Sequence, residues 1–262
     1  MDKKVSEGMN MLTSVRGLFA ATLFAGAALA ATPAFADDAG VPSDITISGN
    51  AALVTEYRFR GVDLSGGDIA VQGGVDISHS SGFYVGTWGS SLDEDTVGYG
   101  HTELDLYGGW SGDIANGISG DIGVIYYAYP NAPAGDYDYV EFYGSLSKTL
   151  GPVDGTVGVA YAPKQDSLGG TDNLYIYTDL GVSVPNTPVS LKGHVGYTDG
   201  YLTYTADGDA FDWSIGAEFA VNSNLSVGVS YVDAQGSRTT FGDGSSYNFV
   251  DGAVVGSLSV SF

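Results

Sequence analysis

The sequence has no cysteine, so neither a disulfide framework nor a thiolate metal site is open to it, and a chain of 262 residues needs neither. Basic residues are scarce: nine Lys and Arg stand against 31 Asp and Glu, for a net charge of −22. That balance argues against nucleic acid as a partner and against attraction to anionic lipid heads. Beyond residue 36 there is no run of 18 apolar residues, which excludes a helical membrane protein. Charge is low at 15%, and the alternating aromatic and branched residues can bury enough area to argue against disorder. What the sequence does have is glycine, 40 residues without a collagen period, and 18 tyrosines. An all-β fold remains, either a sandwich or a barrel.

The first 36 residues differ from the rest. Lys3, Lys4 and Arg16 precede an uncharged run rich in Ala, Leu and Phe that ends in Ala34, Phe35 and Ala36. A basic start, a short apolar stretch and an A-x-A site predict a signal peptide over 1–36, cleaved after Ala36, and the apolar stretch is too short to span a bilayer. Met11 is an alternative start, since 11–36 retains both Arg16 and the apolar stretch. Removing 1–36 takes away those three bases and the acids Asp2 and Glu7, so the charge of the remainder becomes −23. A short segment, 37–44, then leads into the barrel region, 45–262.

Period-two alternation predicts strands at 45–60, 68–78, 83–92, 99–110, 118–129, 137–149, 153–162, 173–184, 189–198, 211–221 and 225–232, with a closing strand in 248–262. The links between them sort by parity: longer after odd strands, shorter after even ones, with 111–117 the least tight of the short links. A sandwich has no reason for such sorting, whereas a closed antiparallel transmembrane β-barrel of about twelve strands has long loops outside and short turns inside. Strands of about ten residues, tilted about 45°, match the bilayer span.

The closing stretch alternates Val250, Gly252, Val254, Gly256, Leu258, Val260 and Phe262 with smaller or polar residues. It resembles the C-terminal strand of outer-membrane barrels, which implies that Phe262 acts as an assembly signal read by the insertion machinery. Aromatics gather near strand ends. Tyr57, Phe59, Tyr129, Tyr137, Tyr139, Tyr161, Tyr175, Tyr197, Phe211, Trp213, Tyr231 and Phe249 fall on the long-loop side, and Phe83, Trp110, Phe219 and Phe262 on the other, as two interfacial girdles would.

Three blocks carry a resemblance to a family: Ser48-Gly49-Asn50 with 55–62 (TEYRFRGV), 71–76 (VQGGVD), and 82–90 (GFYVGTWGS). They resemble the TorF family, porin-like proteins of Gram-negative bacteria, and 103–107 and 141–143 are similar to its later blocks. The resemblance implies an outer-membrane barrel and a porin, with outer-membrane lipid and lipopolysaccharide around it and small hydrophilic solutes passing through, but it supplies no particular solute. Two functions stay open: a passive diffusion channel, and a non-conducting surface barrel such as an adhesin or structural protein. Loops of roughly five to thirteen residues are small for an adhesin. Twelve strands lie between ~8, whose interior is filled by side chains, and ~16, which leave a wide channel, so a narrow or plugged pore is expected.

Nothing points to an enzyme. His79, His101 and His194 show no ligand or catalytic spacing, and only His101, near Asp95, stands where a rim catalyst would. The acidic loops lack the order of a calcium site, so no metal and no cofactor are expected. With the apolar face toward lipid, strand phase turns Glu56, Asp76, Glu103, Asp105, Asp121, Glu141, Asp179, Asp212, Glu218 and Asp251 inward, against Arg58, Arg60 and Lys192. An acidic pore wall predicts weak cation selectivity. The other outcome is that these charges pair with one another and occlude the barrel.

Overall fold

The computed structural model of the chain describes residues 42–240, 244 and 246–262. The expected signal peptide and its cleavage after Ala36 lie outside the described residues. Twelve strands form one closed antiparallel barrel: β1 Ile45–Val54, β2 Ala70–His79, β3 Phe83–Ser91, β4 Thr102–Ala115, β5 Ile118–Ala128, β6 Tyr139–Leu150, β7 Val153–Gln165, β8 Thr171–Ser183, β9 Val189–Gly200, β10 Asp209–Ala220, β11 Leu225–Ala234 and β12 Ala253–Ser261. Each pairs with its sequence neighbours, and β12 closes onto β1 from Asn50↔Ser261 to Val54↔Ser257. At that seam Phe262 and Gly49 exchange both backbone hydrogen bonds, at 2.9 and 3.0 Å. The Phe262 ring covers Gly49, where a Cβ would lie 2.8 Å from Cζ.

The parity of the links holds with one exception on each side of the expectation. The suspect link between β4 and β5 is a two-residue turn, Asn116-Gly117, with both residues in the left-handed region (φ 54° and 69°) that suits a tight hairpin. Conversely β7 and β8 run further than expected, so their loop shrinks to 166–170, no longer than the turn at 184–188. The loop between β3 and β4 holds one helical turn, α1 Glu94–Val97, capped by the Asp93 carboxylate accepting from the Thr96 N–H and ended by Gly98 at φ 76°.

Two strand boundaries were read too long, and both matter. The first wall strand stops at Val54, Thr55 N–H makes a last bond to the Gly256 carbonyl at 2.9 Å, and Glu56 to Arg60 are not part of the wall. A chain leaving the rim can stay extended because the residues of a short inner hairpin, Arg58–Phe59 against Val62–Asp63, alternate just as a wall strand does. The closing strand begins only at Ala253; Phe249 and Val250 are buried in the loop before it, and Asp251 belongs to that loop, exposed but with its carboxylate 3.4 Å from Arg58 Nη2.

The outer face is apolar around the circumference: Val85, Ile122, Val157, Ile176, Ile215, Leu258 and Val254 are all exposed, the last at 67%. A belt of this extent would drive association in water and is satisfied by hydrocarbon. At the long-loop rim, outward tyrosines donate to aspartates just above them: Tyr126 to Asp138 at 2.6 Å, Tyr161 to Asp172 at 3.0 Å and Tyr197 to Asp209 at 3.3 Å. At the other rim Trp110 Nε1 donates to the Ser81 carbonyl at 3.0 Å. These behave as interfacial anchors, apolar ring toward lipid and polar tip toward water.

The girdle expectation fails for Tyr57, Tyr129, Tyr139, Tyr175 and Phe249, which are buried inside. Inward tyrosines are accommodated by inward glycines. Tyr84 faces Gly109, Tyr107 faces Gly86, Tyr143 faces Gly123 and Tyr177 faces Gly158 as direct cross-strand partners. A Cβ on any of these glycines would come within 2.7 Å of the facing phenol, so the ring lies flat on the bare backbone. Four of the 40 glycines and four of the 18 tyrosines are thus explained together.

Candidate functional site

The inside of the barrel is divided by the first long loop, residues 55–69, which turns inward. Tyr57, Val62 and Leu64 are buried in one apolar cluster with Trp88 of β3, Leu92, Tyr127 of β5 and Tyr139 of β6. Each such side chain contributes roughly 1.5–3 kcal/mol on burial, which fixes the loop as part of the interior. Polar contacts then pin it to the wall on several sides. The Tyr57 hydroxyl donates to Glu103 Oε1 of β4 at 2.7 Å, and Arg60 Nη2 donates to Glu141 Oε2 of β6 at 2.6 Å. The Arg60 guanidinium also stacks over the Tyr175 ring of β8, 4.2 Å from its centroid. On the far side Gly61 touches the end of β11: a Cβ there would lie 2.5 Å from the Ala234 Cβ. Arg60 and Gly61 both adopt positive φ, 50° and 78°, the sharp reversal that aims the guanidinium at β6 and β8.

A second base, Arg58, points the other way. It pairs with Glu56, and its Nη1 donates to the carbonyls of Gly61 (3.1 Å), Phe249 (3.4 Å) and Asp251 (2.8 Å). Burial pushes the Glu56 carboxyl above its ordinary value, and the Arg58 guanidinium pulls it back. Tyr247, from the loop before β12, donates to Asp63, so two loops clasp each other inside the outer mouth.

The residues expected along the pore separate into two groups. Glu103, Asp105 and Glu141 are almost fully buried beneath the loop, with Asp121 lower on the same wall, where its carboxylate accepts from Tyr84 at 2.6 Å. Both Asp105 oxygens, Glu141 Oε1, Asp212 Oδ2, and Nε and Nη1 of Arg60 have no protein partner, a condition that water meets in a solvated interior. Lys192 and Glu218 form the other group: Lys192 Nζ lies 3.0 Å from Glu218 Oε2, and the pair borders a cavity of about 60 Å³ together with Glu56 and Arg58. Its wall includes the small residues Gly216, Gly228, Ser230 and Ser257 beside Val54, Tyr57 and Val232. Glu56, Arg58 and Arg60 thus sit on the inserted loop and not on a strand of the wall.

One arrangement escaped sequence reasoning. His194 Nδ1 lies 2.6 Å from Asp179 Oδ1, and Nε2 lies 3.0 Å from Asp212 Oδ1 and 2.8 Å from the Tyr175 hydroxyl. Strand phase could have found it, because Asp179, His194 and Asp212 face inward on the consecutive strands β8, β9 and β10. Ser214 lies directly across from His194, but its hydroxyl is unpartnered and both ring nitrogens already have carboxylates, so the set is not arranged as a nucleophile and base. His101 is exposed and meets Thr102 Oγ1 at 2.9 Å. Among the described residues no group of three or more His, Asp or Glu is placed to hold a metal ion.

A family model described as "Bacterial protein of unknown function (Gcw_chp)" matches residues 38–262. The chain belongs to this family. No curated protein matches it. Among solved structures, this Gcw_chp chain is similar to the NanC porin in a rhombohedral crystal form (TM-score 0.52, 9% identity, 82% of this chain and 98% of that one). It is similar to the KdgM porin at the same TM-score, with 6% identity and coverage of 82% and 98%. A third structure, the KdgM porin in complex with disordered oligogalacturonate, matches with TM-score 0.52, 5% identity and coverage of 82% and 97%. At such identities the likeness is one of fold, and the Gcw_chp barrel is a porin-type barrel. The match is to Gcw_chp; what it shares with the TorF resemblance is that barrel.

Proposed function

We propose that the protein is an outer-membrane channel through which small hydrophilic solutes diffuse passively, narrowed by its first long loop and weakly cation-selective. The observation that carries this reading is a closed barrel with a hydrocarbon-compatible outside and, inside, a cavity left open beside the loop and bordered by two ion pairs. The location follows from that outer face and from the porin-type fold, and lipid and lipopolysaccharide are then its surroundings. An expected assembly role for Phe262 is supported by its place at the β1–β12 seam.

Selectivity follows from charge. Asp76, Asp121, Asp179, Asp212 and Glu218 line the interior away from the loop, against Lys192 and His194, and a low-dielectric wall focuses the resulting negative field. The same argument disfavours a polyanion. Oligogalacturonate, bound in the KdgM complex, is a poor candidate for this acidic lumen.

The test is the reversal potential of purified protein in a planar bilayer under a KCl gradient. A small conductance with the potential displaced toward that of K⁺ is expected. Anion preference would reject the selectivity. An absence of conductance in well-inserted protein would favour the non-conducting surface barrel, which the inserted loop and its internal ion pairs also accommodate.

A further inference from the structure

Two ion pairs face a cavity beside the loop. Arg58 and Glu56 approach it from the loop, Lys192 and Glu218 from the wall. We propose that this gap is the solute path and that it favours small zwitterions, molecules carrying one ammonium and one carboxylate, over neutral solutes and over ions of one sign. The proposal rests on the channel reading above and names the solute class of that channel.

The argument is one of exchange. Lys192 and Glu218 balance each other, so a lone cation drawn to Glu218 must compete with Lys192, and a lone anion drawn to Lys192 must compete with Glu218. Either exchange leaves one charge of a desolvated pair uncompensated. A zwitterion replaces both partners together: its ammonium donates to Glu218 or Glu56 while its carboxylate accepts from Lys192 or Arg58. The donors are present for this. Lys192 has three N–H groups, of which Glu218 takes one. Arg58 is held by three backbone carbonyls and cannot follow a departing solute, whereas the Lys192 chain is flexible, so capture is paired with release. The small residues opposite leave room that the tyrosine-lined side does not.

Flux into proteoliposomes containing the full membrane-inserted chain tests this, with glycine as the zwitterion, acetamide as a neutral molecule of similar size, and methylammonium and acetate as single charges. Glycine should pass about fivefold faster than acetamide, the factor expected of one exchanged, partly solvated pair. In the Lys192→Gln, Glu218→Gln variant that ratio should fall to about one with acetamide flux unchanged. The charge-swapped Lys192→Glu, Glu218→Lys variant keeps the balance and should keep the preference. Equal glycine and acetamide flux in the unaltered protein, or an unchanged ratio in the first variant, or loss of the preference in the second, would each overturn the proposal. KCl conductance, measured in parallel, separates the two readings: its absence rejects the channel, whereas conductance without glycine preference rejects only the zwitterion path.

Discussion

The two sides of the lumen use the same inward strand positions to opposite ends. From β3 to β8 those positions carry Trp88, Tyr107, Tyr127, Tyr139, Tyr143 and Tyr177, with Glu103, Asp105 and Glu141 set among them. From β10 to β12 they carry Gly216, Gly228, Ser230 and Ser257. The loop settles on the first side because phenols and carboxylates there match its Tyr57 and Arg60, and it leaves the second side open. Barrel closure alone does not decide whether a bore exists. The side chains on each arc of wall do, together with the loop they attract.

The comparison breaks most readily at Arg60. Replacing it with Ala strands Glu141 without its cation, and loss of one partner of a buried pair costs about 3–5 kcal/mol. Urea unfolding of the refolded protein should show a lower midpoint, and single-channel current should rise as the loop loosens. An unchanged current would mean that the apolar contacts of Val62 and Leu64 hold the loop without the latch. Next comes Gly158→Val on the packed side, where the new Cβ would stand 2.2 Å from Tyr177 Cζ. Overpacking of this kind costs roughly 1–3 kcal/mol and should reduce the folded, heat-modifiable fraction on a gel. The matching change on the open side, Ser257→Leu, should leave that fraction intact and lower conductance instead. If both variants merely misfolded, the two sides would not differ as described. The smallest effect is expected from Asp105→Asn: buried beneath the loop and away from the cavity, it should shift the reversal potential less than Glu218→Gln does. A larger shift from Asp105 would place the ion path on the packed side.

Much of this frame could be read before any coordinates. Period-two alternation and the parity of the links identify the strands and which ends face outward, because both are local properties of the chain. The inner loop was hidden for a physical reason: Thr55 to Arg60 continue the alternation of β1, and period two reports an extended chain between polar and apolar surroundings without saying whether it hydrogen-bonds to a wall. Length was the overlooked signal, since 45–60 exceeds the span of about ten residues that a bilayer needs. The inward tyrosines were readable in the same way. Tyr139 shares parity with Glu141, and Tyr175 and Tyr177 share it with Asp179, so they could not all belong to an outer girdle. What no alternation could supply is the meeting of Arg60 with Glu141, since it depends on the path of a loop.

The pairing of Tyr84, Tyr107, Tyr143 and Tyr177 each with a glycine on the next strand has a consequence for how such a barrel can change. A ring lying on bare backbone lines the wall with one aromatic thickness, and the pair is self-contained: exchanging Tyr177 and Gly158 together for two serines would thin the wall there and leave the strand count, register and outer face untouched. Bore is then a quantity adjustable in discrete steps, one facing pair at a time. A twelve-stranded frame of this design can be widened or narrowed like a pipe with removable liners, without recasting the pipe.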